Sequence, residues 1–450
     1  MARVAFVSNG LRTALFKAVA DNLSASGHEI FWIITGSDEV KSIVAPYSHV
    51  LDISIITDTS EESLQLLDKY SEISVNGIIA SDRILSKKDA GFAHRYLASC
   101  FSNIHDFIIS NKIEIVFGEA TWANELVCAA VCRMCSIPYL APSTVRHPSD
   151  RFAFFEGVFQ SRPAGRAETI DISKGRELYA KFMAGTARPF YMQRPKKNNL
   201  KLLIKHIKRH IRMDVYDMTV PSLYSLIADK VRTALSVYPS AGMPDGRYVY
   251  MPLHVSPEAS VDVLGGFHMD AVAFVSNISR ALPYGVELAV KGHPNQMQPT
   301  KFYKAISRIP SVRLVDKCAD SIELIKNAEA VVSVSGTACY EAGLLGVPAF
   351  TFADMFFNLL PSVKKCTSYE ELYSVLKNLS KDENCAESAI AFLSSLYGLT
   401  YKGYAESETV FADALSEQNI SDVTAGFIDI IEFYSSSKSA TAASMCSRFI

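Results

Sequence analysis

The opening of the chain decides its fold class. Arg3–Val7 ("RVAFV") and Glu29–Ile34 ("EIFWII") are apolar runs that read as strands. Between them, after an "SNGLR" turn, Leu15, Val19 and Leu23 recur at helical spacing over Thr13–Ser26, and Gly27 follows as a helix C-cap. A strand, a helix and a second strand in that order pair in parallel through a right-handed crossover. The alternation continues with a strand at Ile113–Phe117, a helix at Trp122–Cys135 and a strand at Pro138–Ala141.

A second series begins near Arg247. "YVYMPLHV" is a strand, Asp270–Leu282 a helix and "VELAV" a strand; "VRLV", "AVVSVS" and "VPAFTF" follow, with helices at about 320–327 and 337–345. Two such series in 450 residues predict an α/β protein of two Rossmann-like domains facing a central cleft. The expected division is residues 1–160, a helical connecting segment over 161–245, a second domain over 246–400, and C-terminal helices over 401–450 ending in a loose tail from Tyr434.

Apolar residues make up 49% and charged residues 20%, an ordinary globular composition. The net charge of −2 exerts no general pull on nucleic acid. No apolar run approaches the roughly 18 residues of a membrane span, and the N-terminus lacks the pattern of a signal peptide. The nine cysteines are scattered and odd in number, which points to reduced thiols in a cytoplasm. Cys128, Cys132 and Cys135 have the spacing of an iron–sulfur motif, but they fall on one face of an apolar helix and read as core.

One local basic stretch stands out. "RPKKNNLKLLIKHIKRHIRM" carries eight Lys or Arg residues between Arg194 and Arg212 and no acid. Two readings stay open: a solvated helix packed by one face, or a peripheral contact with anionic membrane lipid through Lys196–Arg212. No nucleic-acid module surrounds it, and no nucleic-acid partner is expected.

Three strand ends in the second series are loaded with polar groups. "MPLHVSPEAS" runs into His254, Ser256, Pro257 and Glu258. "ELAVKGHPNQ" ends in Lys291, Gly292, His293 and Pro294. In "VVSVSGTACYEAGLLGVPAF" the turn Ser335-Gly336-Thr337 leads into a helix, placing hydroxyls and free N–H groups at its N-terminus, ready for a phosphate. Glu341, one helical turn after Thr337, is placed to accept hydrogen bonds from a ribose. His293 is expected at that phosphate as donor or counter-charge, and Lys291 as a compact cation beside it. Ligands of open α/β sheets sit outside the carboxyl ends of the strands, where all three stretches fall.

The first series supplies the opposite wall. "IEIVFGEATW" ends in Gly118-Glu119, a carboxylate at a strand tip expected to be partly desolvated and to act as a general base. "TVRHPSDRFAF" adds Arg146, His147 and Arg151, suited to an anionic sugar or a diphosphate. "ASDRIL" adds Asp82 and Arg83, and Asn9-Gly10 approaches the donor from the first strand.

With these residues assembled, the chain resembles the bacterial capsule-polysaccharide synthesis family of GT-B glycosyltransferases, the broad group that includes β-Kdo transferases. The likeness rests on "PLHVSPEAS", "VKGHP" and "VSGTACYEAGLLGVPAF", with "FGEATW" and "VRHPSDRFAF", and covers most of residues 1 to 380. The His-Pro pair followed by a Ser/Thr turn is also similar to the motifs with which bacterial GT-B sialyltransferases hold CMP. The resemblance implies a GT-B fold, His293 and Ser335–Thr337 at the donor nucleotide, and a CMP-activated acidic sugar as one donor. The paired-acid-plus-glycine motif of those sialyltransferases is not found here. The resemblance also implies that no metal or other cofactor is required. The expected activity is transfer from a nucleotide sugar to a cell-surface polysaccharide or lipid-linked glycan, with the enzyme in the cytoplasm, and at the inner face of the plasma membrane if the basic stretch is a lipid contact. An epimerase or polyol-phosphate transferase on the same fold, and a non-catalytic glycan-binding subunit, are the alternatives.

Overall fold

The structure is a computed structural model and describes residues 1–35, 38–54, 56–57, 60–166, 170–186, 223–255, 262–294, 296–379 and 384–446. Its strands are β1 (Arg3–Ser8), β2 (Glu29–Ile34), β3 (Val50–Asp52), β4 (Ile115–Phe117), β5 (Tyr139–Thr144), β6 (Arg151–Glu156), β7 (Pro163–Ala164), β8 (Tyr248–Pro252), β9 (Glu287–Lys291), β10 (Val312–Val315), β11 (Ala330–Ser333), β12 (Ala349–Thr351), β13 (Val363–Lys365) and β14 (Tyr401–Lys402).

They form two sheets. The first runs β3-β2-β1-β4-β5-β6-β14 with β7 also on β6, and the second runs β10-β9-β8-β11-β12-β13. All pairs from β3 to β5 are parallel, as are all pairs of the second sheet. Such strands are covered on both faces and so read as unbroken apolar runs: Val4, Ala5, Phe6 and Val7 of β1 are all fully buried. In each sheet the order reverses between the first and fourth strands, β1 and β4 or β8 and β11, which is where an open α/β sheet leaves a crevice.

The helix Thr13–Ala25 ends where the sequence predicts. Gly27 has a φ of +88°, its N–H bonds Ser24 C=O, and the His28 N–H reaches back to Leu23 C=O. Cys128 and Cys132 are buried within the helix Ala123–Met134, and Cys135 caps its end half-buried.

The connecting segment contributes the helices Ile172–Met183 and Leu223–Ala234. The basic stretch Lys196–Arg212 lies outside the described residues. Val145, Ala153, Phe155 and Phe182 share one apolar core with the second sheet, so the two halves are packed together along that edge.

The C-terminus departs from expectation. β14 pairs antiparallel with β6 of the first sheet. The helix Glu417–Cys446 then lays Phe427 against Phe6, Phe16 and Phe117, at ring separations of 6.0, 6.4 and 4.6 Å. The tail expected to be loose from Tyr434 is helical to Cys446. Its Ala-rich sequence continues a helix already anchored by buried Phe427, Ile430 and Ile431.

Candidate functional site

At the reversal point of the second sheet, β8 ends at Pro252 and leads into Leu253 and His254, and β11 ends in Ser333. His254 Nε2 lies 2.9 Å from Ser333 Oγ, and the same oxygen accepts the Gly336 N–H at 3.2 Å. Gly336 is the N-cap of the helix Thr337–Leu344 and has no side chain to cap it, so its first N–H groups face outward. A Cβ at 336 would stand 2.5 Å from Ser333 Oγ and 3.5 Å from His254 Cε1; only glycine permits this approach. Thr337 is half-buried, whereas Ser335 is 2% exposed and turned inward.

Burial, then the charges of His293 and Arg146, push the His254 imidazole down to about 4, so it is neutral near pH 7. The charges of His293, just past β9, and of Arg146, in the loop after β5, are thus both felt at His254, just past β8. His254 and His293 also border a cavity of about 260 Å³, walled by Leu253, Met269, Phe302 and Tyr303 and edged by Gln296 and Gln298. His254 is the residue that sequence reasoning left out of the site, although its strand end was one of the three singled out.

Lys291 is not where the sequence places it. Its ammonium donates to Ala319 C=O and to Ser321 Oγ, both at 2.6 Å, and it is 6% exposed. It ties β9 to the start of the helix Ser321–Asn327 instead of presenting a cation to a ligand. Burial lowers its pKa against the pull of Asp320 and Glu341. Pro294 follows His293 in the loop after β9, and Pro257 and Glu258 lie outside the described residues.

Glu341 is 9% exposed and faces the first domain, its Oε1 3.8 Å from His147 Nε2. Its neighbour Tyr340 donates its hydroxyl to the His147 carbonyl at 2.9 Å. Arg146, at a φ of +69°, has a buried Nη1 with no hydrogen-bond partner among the described residues.

The reversal point of the first sheet is also polar. Asn9, at the end of β1, exchanges hydrogen bonds with Asn124 at 2.8 and 3.1 Å and donates to Glu125 Oε1 at 2.6 Å. Arg12 pairs with Glu119 at 3.2 Å and with Glu406 at 2.9 Å, and donates to the Pro142 carbonyl at 2.9 Å. Gly118 makes room for the Tyr139 hydroxyl, which donates to the Glu119 carbonyl at 2.5 Å and fixes the strand tip. Gly10 lies open beside Asn9, with nothing within 4 Å of where a Cβ would stand.

The burial that the sequence assigns to Glu119 falls on Glu125. The Glu119 side chain keeps 28% of its exposure and leans on Arg12. Glu125 is fully buried in the first turn of the helix Ala123–Met134, accepting the N–H groups of Thr121 and Trp122 at 2.7 and 3.0 Å. Burial, then the charge of Glu119, push its carboxyl up to about 8 despite those hydrogen bonds.

Three further residues hold the fold together. Asp82 accepts the N–H groups of Ile84, Leu85 and Ala123 at 2.9, 2.8 and 3.0 Å. Arg83 lies over the Trp122 ring at 5.1 Å and reaches Asp262 of the second domain at 3.4 Å. Arg151 donates to the Thr400 hydroxyl and carbonyl and stacks on Tyr397 at 4.1 Å, so its donors anchor the segment that returns to β6. Among the described residues no three His, Cys, Asp or Glu side chains are grouped to hold a metal ion, and no helix is long and apolar enough to cross a membrane.

No family model matches the sequence, and no curated protein matches it. Solved structures align with most of the chain at low identity. The S. aureus MnaA–UDP co-structure is 13% identical over 88% of this chain and 94% of its own, with a TM-score of 0.28. Acinetobacter baumannii MurG is 11% identical over 87% of this chain and 94% of its own, with a TM-score of 0.26. The Thermosulfurimonas dismutans KpsC β-Kdo 2,7 transferase is 11% identical over 73% of this chain and 89% of its own, with a TM-score of 0.35. Superpositions this loose add nothing to the chemistry. The fold follows from the strand order of the chain itself: an α/β protein of two Rossmann-like domains.

Proposed function

We propose that the chain is a glycosyltransferase that holds a nucleotide-sugar donor at the second sheet and a glycan or lipid-linked glycan acceptor at the first. The observation that carries this reading is the reversal point of the second sheet. There an uncapped helix N-terminus at Gly336–Thr337 stands beside His254, with the charges of His293 and Arg146 felt at the same place. Backbone N–H groups and an imidazole donor suit the phosphate of a departing nucleotide. Glu341 is the ribose acceptor in this reading, and the cavity beside His293 borders the same site. A CMP-activated acidic sugar is the donor class we favour, on the sequence resemblance.

Across the crevice Glu119 is the proposed base, exposed enough to meet an acceptor hydroxyl and oriented by Arg12. The acceptor oxygen would bond to the anomeric carbon as the carbon–oxygen bond to the phosphate breaks. The nucleotide leaves with the electron pair, and Glu119 takes the hydroxyl proton.

Thermal-shift measurements with CMP, UDP and GDP test the donor half. A nucleotide at 100 times its Kd is expected to stabilise the fold by about 2.7 kcal/mol. Nucleotide release from the matching sugar, dependent on a glycan acceptor and lost in His293→Ala, is the expected activity. Conversion of the sugar without nucleotide release would indicate an epimerase, and binding without turnover a glycan-binding subunit; either overturns the proposal.

A further inference from the structure

His147 is 4% exposed, yet neither of its ring nitrogens has a hydrogen-bond partner among the described residues. Buried polar side chains are paired as a rule, so an orphaned imidazole calls for a physical reason. The residue sits in the loop after β5, which reaches from the first domain to the helix Thr337–Leu344 of the second. Its carbonyl accepts the Tyr340 hydroxyl at 2.9 Å. Its ring packs edge-on against Tyr340 and Phe182, at 5.5 and 5.2 Å between centroids. Among the described residues the polar group that faces the ring nitrogens is Glu341 Oε1, 3.8 Å from Nε2. That separation is within Coulombic reach and beyond a hydrogen bond. The adjacent Arg146 also carries a buried nitrogen without a partner, so two neighbouring donors on one loop fall short of acceptors at the domain boundary.

We propose that His147 is a positioning residue lent by the first domain to the nucleotide site of the second. When the domains close on a nucleotide, a shift of about 1 Å brings Nε2–H onto Glu341 and within hydrogen-bonding distance. The carboxylate is then fixed to receive a ribose hydroxyl. The loop is already anchored through Tyr340, so the closing movement needs no rearrangement of the helix. Nucleotide binding and the His147–Glu341 bond stabilise the same closed state and reinforce each other. This inference rests on the nucleotide reading of the site.

The test is calorimetric titration of the full chain with CMP, UDP and GDP, on wild type, His147→Ala, His147→Gln, Glu341→Ala and the variant carrying both His147→Ala and Glu341→Ala. His147→Ala is expected to weaken the tightest nucleotide about tenfold, the worth of one hydrogen bond to a charged group. His147→Gln, with an amide donor at similar reach, is expected to stay near wild type. The double variant should bind no more weakly than Glu341→Ala alone, because both changes remove one interaction. A merely structural role predicts the reverse: a lowered melting temperature in both His147 variants, with nucleotide affinity of the folded protein unchanged. Wild-type affinity in His147→Ala, equal losses in the Ala and Gln variants, or additive losses would each overturn the inference and leave the nucleotide reading standing. If wild type binds none of the three nucleotides, the reading fails and the inference fails with it.

Discussion

His254 and Ser333 are hydrogen-bonded across the point where the strand order of the second sheet reverses, Nε2 to Oγ at 2.9 Å. Because the same hydroxyl accepts the Gly336 N–H, a residue two positions beyond β8 holds the turn that follows β11. The helix N-terminus offered to a ligand is thus set by a side chain from the neighbouring strand.

The pH response of this pair has a definite sign. The folded pKa of His254, about 4, lies below its ordinary 6.5. Between those values the unfolded chain binds a proton that the folded chain excludes. The stabilisation is complete above about pH 6.5 and is lost as pH falls toward 4. Urea titrations at pH 7 and pH 4.5 should show wild type losing about 1–3 kcal/mol more than His254→Gln over that interval. Parallel losses in the two proteins would remove His254 as the titrating group.

Glu125 responds in the opposite direction. Its carboxyl is raised from 4.5 to about 8, so the folded chain binds the proton that the unfolded chain releases. Stability from this group is complete below about pH 4.5 and lost as pH rises through 8. Glu125→Gln is expected to lower stability at pH 5 and to flatten the decline between pH 5 and 9. Melting temperatures across that range check this; an unchanged slope in the variant would show that Glu125 is ionised in the fold.

The difference between Glu119 and Glu125 also shows where the sequence stops being legible. Strands β1, β2 and β10 and the loaded ends of β8, β9 and β11 were readable, because a strand buried on both faces is an unbroken apolar run and a polar residue after it is conspicuous. Which of two acids six residues apart is desolvated depends on where the helix begins and what Asn9, more than a hundred residues earlier, donates to it. Lys291 is similar: its position at a strand end was visible, but its partners Ala319 and Ser321 come from another element. The pairing of β14 with β6 spans about 250 residues and has no local signature. In sequence His147 reads as one more cation beside Arg146; that its ring nitrogens find no hydrogen-bond partner among the described residues follows from the meeting of two domains there.

Gly336→Ala isolates the turn. The new methyl would meet Ser333 Oγ at 2.5 Å and its Cβ at 3.2 Å, so the Ser333–His254 bond must give way or the turn must move. An overpacking cost of about 1–3 kcal/mol is expected, together with at least a tenfold loss of nucleotide affinity as the N–H groups are displaced. Chemical denaturation and calorimetry measure the two effects separately. Loss of stability with full affinity would mean that the ligand does not use this helix terminus.

At the first sheet Arg12 pairs with two carboxylates, Glu119 and Glu406. Burial works against its guanidinium, but the charges of Glu119, Glu406 and Glu125 outweigh that penalty and hold its pKa above the ordinary value. Its contact with Glu406 also ties the returning C-terminal segment to the end of β1. Arg12→Ala leaves the Glu119 and Glu406 carboxylates in a largely buried site without this counter-charge, and should cost about 3–5 kcal/mol. Arg12→Lys should rescue little, because one ammonium cannot reach Glu119, Glu406 and the Pro142 carbonyl, which the planar fork serves together. Adding Glu406→Gln to Arg12→Ala removes one of the stranded charges and should restore part of the loss. Denaturant midpoints of the three variants decide the matter: full stability in Arg12→Lys would show that charge alone, not the directed fork, holds the first sheet's polar cluster together.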